Sequence, residues 1–209
     1  MRKLTGTVAV MTGASTGTRC CRAAVAMNYA SDTEGAGRTV SEMTSHGGKA
    51  IVLQAEVARA AEVQRMCEAT THVFGAVDVL VNNAGVLQCE PFEAMTEQEC
   101  HHAFDTNALG PILAIQEALQ HFPVSGGSVI NISSVASENP VPHSSLYTAT
   151  KGAIDTLTMA LAKELRRRNI RVNNERCAHE SGQSTSTLWS VVRLPQSAPM
   201  APGLRPALQ

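Results

Sequence analysis

Tyr147 and Lys151 stand four residues apart in Tyr-Thr-Ala-Thr-Lys, with Ser133-Ser134 a short way upstream. On a helix, residues at that spacing are neighbours on one face, so a phenol and an ammonium would lie side by side. A free phenol, with a pKa of about 10, exchanges protons poorly at neutral pH. An ammonium at ~4 Å, in an effective dielectric of about 20, stabilises the phenolate by up to roughly 4 kcal/mol. That corresponds to a shift of as much as ~3 units towards operating pH. A serine hydroxyl from a nearby strand end would then hold a substrate oxygen beside the phenol. The chemistry is proton transfer for a carbonyl/alcohol pair. A tyrosine on a core-facing helix with a solvated lysine one turn later gives the same spacing, and the rest of the chain decides between the two.

The elements that must position these groups alternate between short apolar runs and helical periods, the pattern of βα units around a parallel sheet. Strands are predicted at Thr7–Met11, Val25–Tyr29, Ala50–Leu53, Val77–Val81 and Ser128–Ile132, with a sixth beginning at Ile170-Arg171-Val172. Helices are predicted near 33–46, 59–74 and 97–121. The clearest runs from Ser144 to Arg168, where Leu146, Ala153, Ile154, Leu157, Leu161 and Leu165 recur at intervals of three, four and seven. From Asn174 onward Ser, Thr and Gln dominate, followed by four prolines between Pro195 and Pro206. The expectation is one domain over 1–173 and a poorly packed, irregular tail over 174–209, since that tail offers too little apolar surface to offset its ordering entropy.

Thr12-Gly13-Ala14-Ser15-Thr16-Gly17 follows the first strand directly. Glycines at a strand-to-helix turn let the backbone approach a pyrophosphate, which then sits on the helix N-terminus. Gly13, Ser15, Thr16 and Gly17 are therefore candidate dinucleotide contacts. Asn82-Asn83-Ala84-Gly85 closes the fourth strand at the same carboxyl edge of the sheet, where ligands bind in such folds, and adds Asn83, Ala84 and Gly85. Tyr29-Ala30-Ser31, ending the second strand, includes no carboxylate to hold a ribose 2′-hydroxyl. That leaves room for a 2′-phosphate and favours NADP over NAD, with Arg19 and Arg22 as phosphate partners.

Composition narrows the alternatives. Hydrophobic residues make up 44% and charged residues 17% of the 209, as in a globular protein with one substantial core. A net charge of -1 and 3% aromatic content argue against a nucleic-acid-binding face. No leader or membrane-length apolar run is seen, and six cysteines without C-x-x-C or zinc spacing suit free cytoplasmic thiols rather than disulfides or a metal site. Adjacent His101 and His102 point to different faces of a helix and are read as surface or packing residues.

Thr12-Gly13-x-x-x-Gly17, Asn82-Asn83-Ala84-Gly85, Asn107, Ser134 and Tyr147-x-x-x-Lys151 occur in order. Together they resemble the short-chain dehydrogenase/reductase family over roughly residues 4–173. The likeness is greatest to bacterial 3-oxoacyl-[acyl-carrier-protein] reductases and related sugar or small-alcohol dehydrogenases. The resemblance implies a single α/β domain with a Rossmann-type doubly wound parallel sheet, an NADP (or NAD) cofactor, and a small-molecule carbonyl or alcohol substrate. It further implies that Tyr147 exchanges the proton at the substrate oxygen. Lys151 would lower the pKa of that phenol and bind the nicotinamide ribose, Ser134 would hydrogen-bond the carbonyl, and Asn107 would hold a relay water. Glu56 stands where the family has an aspartate contacting adenine. The helices near 97–121 and 144–168 would form the interfaces of a homo-oligomer, a dimer or tetramer, with Ile112, Ile115, Leu157 and Leu161 as apolar contacts.

The sequence also departs from the family. Arg19 replaces its third glycine, and only residues 14–24 separate the turn glycine from the second strand, where a parallel crossover needs a dozen or more. That shortness predicts frayed first strands or a distorted first helix. After Asn173 the family's Pro-Gly turn, substrate-covering loop and final strand are replaced by something unrelated, so the sheet is expected to be incomplete at the C-terminus. Two functions follow: an NADP-linked reductase, plausible for 3-oxoacyl thioesters, or an impaired family member that serves as a binding or assembly partner.

Overall fold

Six parallel strands form the spine of the molecule in the order β3-β2-β1-β4-β5-β6. They are β1 (Val8–Met11), β2 (Ala24–Tyr29), β3 (Lys49–Gln54), β4 (Val79–Asn82), β5 (Gly127–Ser134) and β6 (Ile170–Cys177). The computed structural model describes residues 4–13 and 23–177. Parallel strands are covered on both faces and so read as continuous apolar runs. Val8-Ala9-Val10-Met11 and Val79-Leu80-Val81 are buried throughout. Alternate side chains feed two cores. Val10, Leu80 and Val129 meet Val63, Met66 and Cys67 of α2 (Ala60–Phe74) and Ala114, Ile115 and Ala118 of α4 (Gly110–His121). Ala9, Met11, Val79 and Val81 meet Met43 of α1 (Thr33–Ser45).

β1 is not frayed. It pairs in register with β2 (Met11 with Met27) and with β4 (Met11 with Val81), although residues 14–22 of the crossover lie outside the described residues. β6 continues past Val172 to Cys177, each residue matched to β5. The polar stretch from Asn174 is thus strand for four residues, and the remainder of the proposed tail, from 178, lies outside the described residues.

The segment predicted as one helix over 97–121 is three pieces: α3 (Glu97–Phe104), a single π-helical turn (Asp105–Leu109) and α4. The cause is local. Pro111 has no N–H to return to the carbonyl of Asn107 four residues back, and the Gly110 N–H reaches Asp105 instead. The last helix, α5 (Ser145–Glu164), ends in a short 3₁₀ turn over Leu165–Arg168. Ile115 is buried in the core and Leu161 packs against it, so Ile115 is not free to meet a partner.

Candidate active site

Strand order reverses between β1 and β4, and the carboxyl ends of the two strands open a crevice there. Gly13 makes the turn out of β1 at φ +62°, and a Cβ on it would lie 2.5 Å from the Ala84 Cα. Only glycine allows the two strand exits to approach so closely. Hydrogen bonds then fix them. Thr12 Oγ1 accepts from the N–H groups of Asn83 and Ala84, both at 3.1 Å. Asn83 Nδ2 donates to the carbonyls of Thr12 (3.0 Å) and Gly13 (2.8 Å). Asn28, buried on β2, accepts from the Gly13 N–H at 3.3 Å and donates to the Ala55 carbonyl at 2.7 Å.

Beyond this turn lies a cleft of about 660 Å³ whose walls include Gly13, Tyr29, Asp32, Glu56, Ala84 and His102. Of the predicted nucleotide contacts, Gly13, Glu56, Asn83, Ala84 and Gly85 all border it. Ser15, Thr16 and Gly17, with Arg19 and Arg22, lie outside the described residues. Among the cleft residues not anticipated as site residues are His102 and Asp32. His102, an exposed residue as expected, also borders the cleft. Asp32 places a carboxylate just past Ser31, but its Oδ1 caps α1 by accepting from the Gly35 N–H at 2.9 Å. An Asp ahead of a helical period is a readable cap signal.

At the other end of the crevice, β5 delivers Ser134 and α5 delivers Tyr147 and Lys151. Ser134 Oγ accepts from the Ala136 N–H at 3.2 Å, and its hydroxyl stands near enough to the Tyr147 phenol to favour the phenolate. Lys151, 5% exposed, donates from Nζ to the Ile132 carbonyl at 2.7 Å and stands 5.6 Å from the centre of the Tyr147 ring. Burial pushes the phenol above its ordinary pKa, with the nearby Ser134 hydroxyl pulling back. Burial likewise pulls the Lys151 ammonium down to about 8, against the opposing influence of Cys177 and Asp155. The expected lowering of the phenol by its lysine is therefore not seen in the free chain. The ammonium is anchored on a strand carbonyl, and desolvation of the phenolate outweighs it.

Asn107, 1% exposed, sits in the π turn and bonds at long range rather than locally. Its Oδ1 accepts from the Val86 N–H at 2.8 Å, while Nδ2 donates to the Val86 carbonyl at 2.9 Å and to Thr150 Oγ1 at 3.0 Å. A Cβ on Gly85 would fall 3.3 Å from Asn107 Oδ1 and 3.6 Å from Lys151 Nζ, so the β4 exit passes directly between the two residues. Gly85, which borders the cleft, thus links it to Asn107 and Lys151.

Over residues 7–184 the chain matches the short chain dehydrogenase family. It is a member of that family. An uncharacterized oxidoreductase of Methylorubrum extorquens is 45% identical to it, over 83% of this chain and 73% of that protein. The 3-oxoacyl-[acyl-carrier-protein] reductase FabG of Staphylococcus aureus is 40% identical, over 71% of this chain and 61% of the reductase. Among solved structures, a blue fluorescent protein from a metagenomic library, in complex with NADPH, superposes with a TM-score of 0.76. It is 32% identical, over 83% of this chain and 74% of that one.

As a short-chain dehydrogenase/reductase the chain is an NAD(P)-dependent oxidoreductase on a single-domain Rossmann-type sheet. The described residues fit a dinucleotide. A side-chain-free turn at Gly13 and a cleft at the strand switch point meet the two requirements for close approach of a pyrophosphate and its ribose. No helix among the described residues is long and apolar enough to cross a membrane.

Proposed function

We propose that this chain is an NADP(H)-linked carbonyl reductase acting on 3-oxoacyl thioesters, with Asn107, Ser134, Tyr147 and Lys151 as its catalytic group. The observation that carries the reading is the grouping of Lys151 under the Tyr147 ring and beside Gly85 of the nucleotide cleft. The bound nucleotide would supply a hydride to the carbonyl carbon. Everything else falls to the chain. Ser134 Oγ already accepts from Ala136, which leaves its own proton to donate to the substrate oxygen. A phenol pushed up by burial holds its proton at neutral pH, the form that a general acid needs when the oxygen becomes an alkoxide.

Lys151 lends positive charge at the place where the phenolate would form and has ammonium protons beyond the one given to Ile132. Asn107 takes a different part from the one its side chain suggests. The amide is fully engaged, so its backbone carbonyl, which Pro111 leaves without a helical donor, is the group suited to hold a relay water.

NADP is favoured because the end of β2 carries no carboxylate through Ser31, and the next one, Asp32, has one oxygen committed to capping α1. The likeness to FabG supports the thioester substrate. Homo-oligomer formation would use the exposed Phe104, Leu109 and Met159 on α3, the π turn and α5.

Titration of NADPH and NADH, followed by nicotinamide fluorescence, is the test. Saturable NADPH binding, with NADH weaker, and NADPH oxidation by acetoacetyl thioesters are expected. A folded protein that binds neither nucleotide would overturn the proposal and leave the impaired-member reading.

A further inference from the structure

Asp155 lies four residues beyond Lys151, on the same face of α5, and is 8% exposed. Its carboxylate collects partners from two other elements. From the turn after β5, Ser137 shares one hydroxyl proton between Asp155 Oδ2 and the carbonyl of Ser134 itself, each at 2.7 Å. From β6, Asn174 Nδ2 donates to Oδ1 and Arg176 Nη2 donates to Oδ2 at 3.2 Å. Arg176 also pairs with Glu138 of the same turn at 2.6 Å. In the strand register Arg176 lies opposite Ser133, and Cys177 opposite Ser134. Burial works against ionisation of this carboxyl, yet the hydrogen bonds and the Arg176 charge hold it below its ordinary value.

We propose that Asp155 is a positioning residue, a clamp that holds the Ser134 turn and the end of β6 onto α5 and so sets the Ser134 hydroxyl against the Tyr147 phenol. The proposal rests on the catalytic reading of those two residues. Asp155 acts through geometry, and small displacements of reacting groups are expensive in rate.

The test compares Asp155→Asn, Asp155→Glu and Ser137→Ala with the parent chain by three measurements. These are NADPH-dependent reduction of an acetoacetyl thioester, NADPH binding by fluorescence, and hydrogen exchange of peptides spanning 134–139 and 173–177. Asp155→Asn should lower kcat by roughly ten- to a hundredfold while KM and the NADPH Kd change less than about threefold. Exchange should quicken in both peptides and not along α5. Asp155→Glu should recover part of kcat, and Ser137→Ala, which leaves the carboxylate in place, should quicken the 134–139 peptide alone. An unchanged kcat in Asp155→Asn, or a loss confined to KM or NADPH affinity, would overturn the positioning role. If the parent binds NADPH but reduces no carbonyl, the reductase reading fails. Unaltered exchange in Asp155→Asn would then independently overturn the clamp.

Discussion

A half-buried phenol beside a buried ammonium is electrostatically awkward, and at Tyr147 the awkwardness serves the chemistry. Burial keeps the proton on the oxygen, and the protein need only release it when negative charge develops on the substrate. Tyr147→Phe removes that proton and little else, so kcat should fall by roughly 10²–10⁴ while the NADPH titration curve is unchanged. An active variant would remove Tyr147 from its role. The Tyr-x-x-x-Lys spacing was plain in the sequence because four residues is a fixed distance on a helix. The direction of the pKa shift was not. It depends on how deeply α5 docks and on Ile132 presenting a carbonyl to Lys151, and both are tertiary facts. The capping role of Asp32 was legible in principle, whereas its presence in the cleft wall emerged only when β2 and β3 were seen side by side.

Elements were easier to read than residues. The five complete strands predicted from apolar runs all exist, because a sheet covered on both faces writes continuous hydrophobicity into each strand. β6 was harder to delimit. Asn174 to Cys177 are polar or half-exposed, and ladder bonds to β5 together with the grip of Asp155 hold them in place. The interruption of the long helix had a signal in Gly110-Pro111, but only the structure shows what the break accomplishes. The turn at Gly13 carries a sharper expectation. Gly13→Ala would force both a left-handed backbone on alanine and a collision with the Ala84 backbone. Urea unfolding should show a loss of roughly 2–4 kcal/mol, accompanied by much weaker NADPH binding. Parent-like stability would mean that the strand exits separate easily.

For the molecule as a whole, the site is a place where stability is given up. Lys151 titrates at about 8 in the folded chain against 10.5 for the free side chain. Below pH 8 both states carry the charge and the folded state bears its desolvation. Between about 8 and 10.5 the folded state releases the proton first, the unfolded state binds more, and stability rises with pH. Lys151→Met should therefore be more stable than the parent at pH 7, by at most about 3 kcal/mol. The difference should shrink as the pH approaches 10.5, as read by paired urea melts. A difference that stays constant with pH would show that the ammonium is solvated after all. The overall architecture was legible from the order of motifs. The homo-oligomer contact was less so, since Ile115, one of the apolar contacts the resemblance implied, faces the core.

The π turn between α3 and α4 has a bearing on descent. It holds one residue more than an α-helical turn would, so a single codon lost between Asp105 and Leu109 would remove the surplus, with Pro111 still lacking its N–H. It would also swing the downstream helix by about 100°, turning the Asn107 amide away from Val86 and Thr150. A lineage kept only for its fold would be free to shed that residue. Descendants of this chain that retain the surplus turn would record continued selection on the crevice, and the first deletion there would date its abandonment.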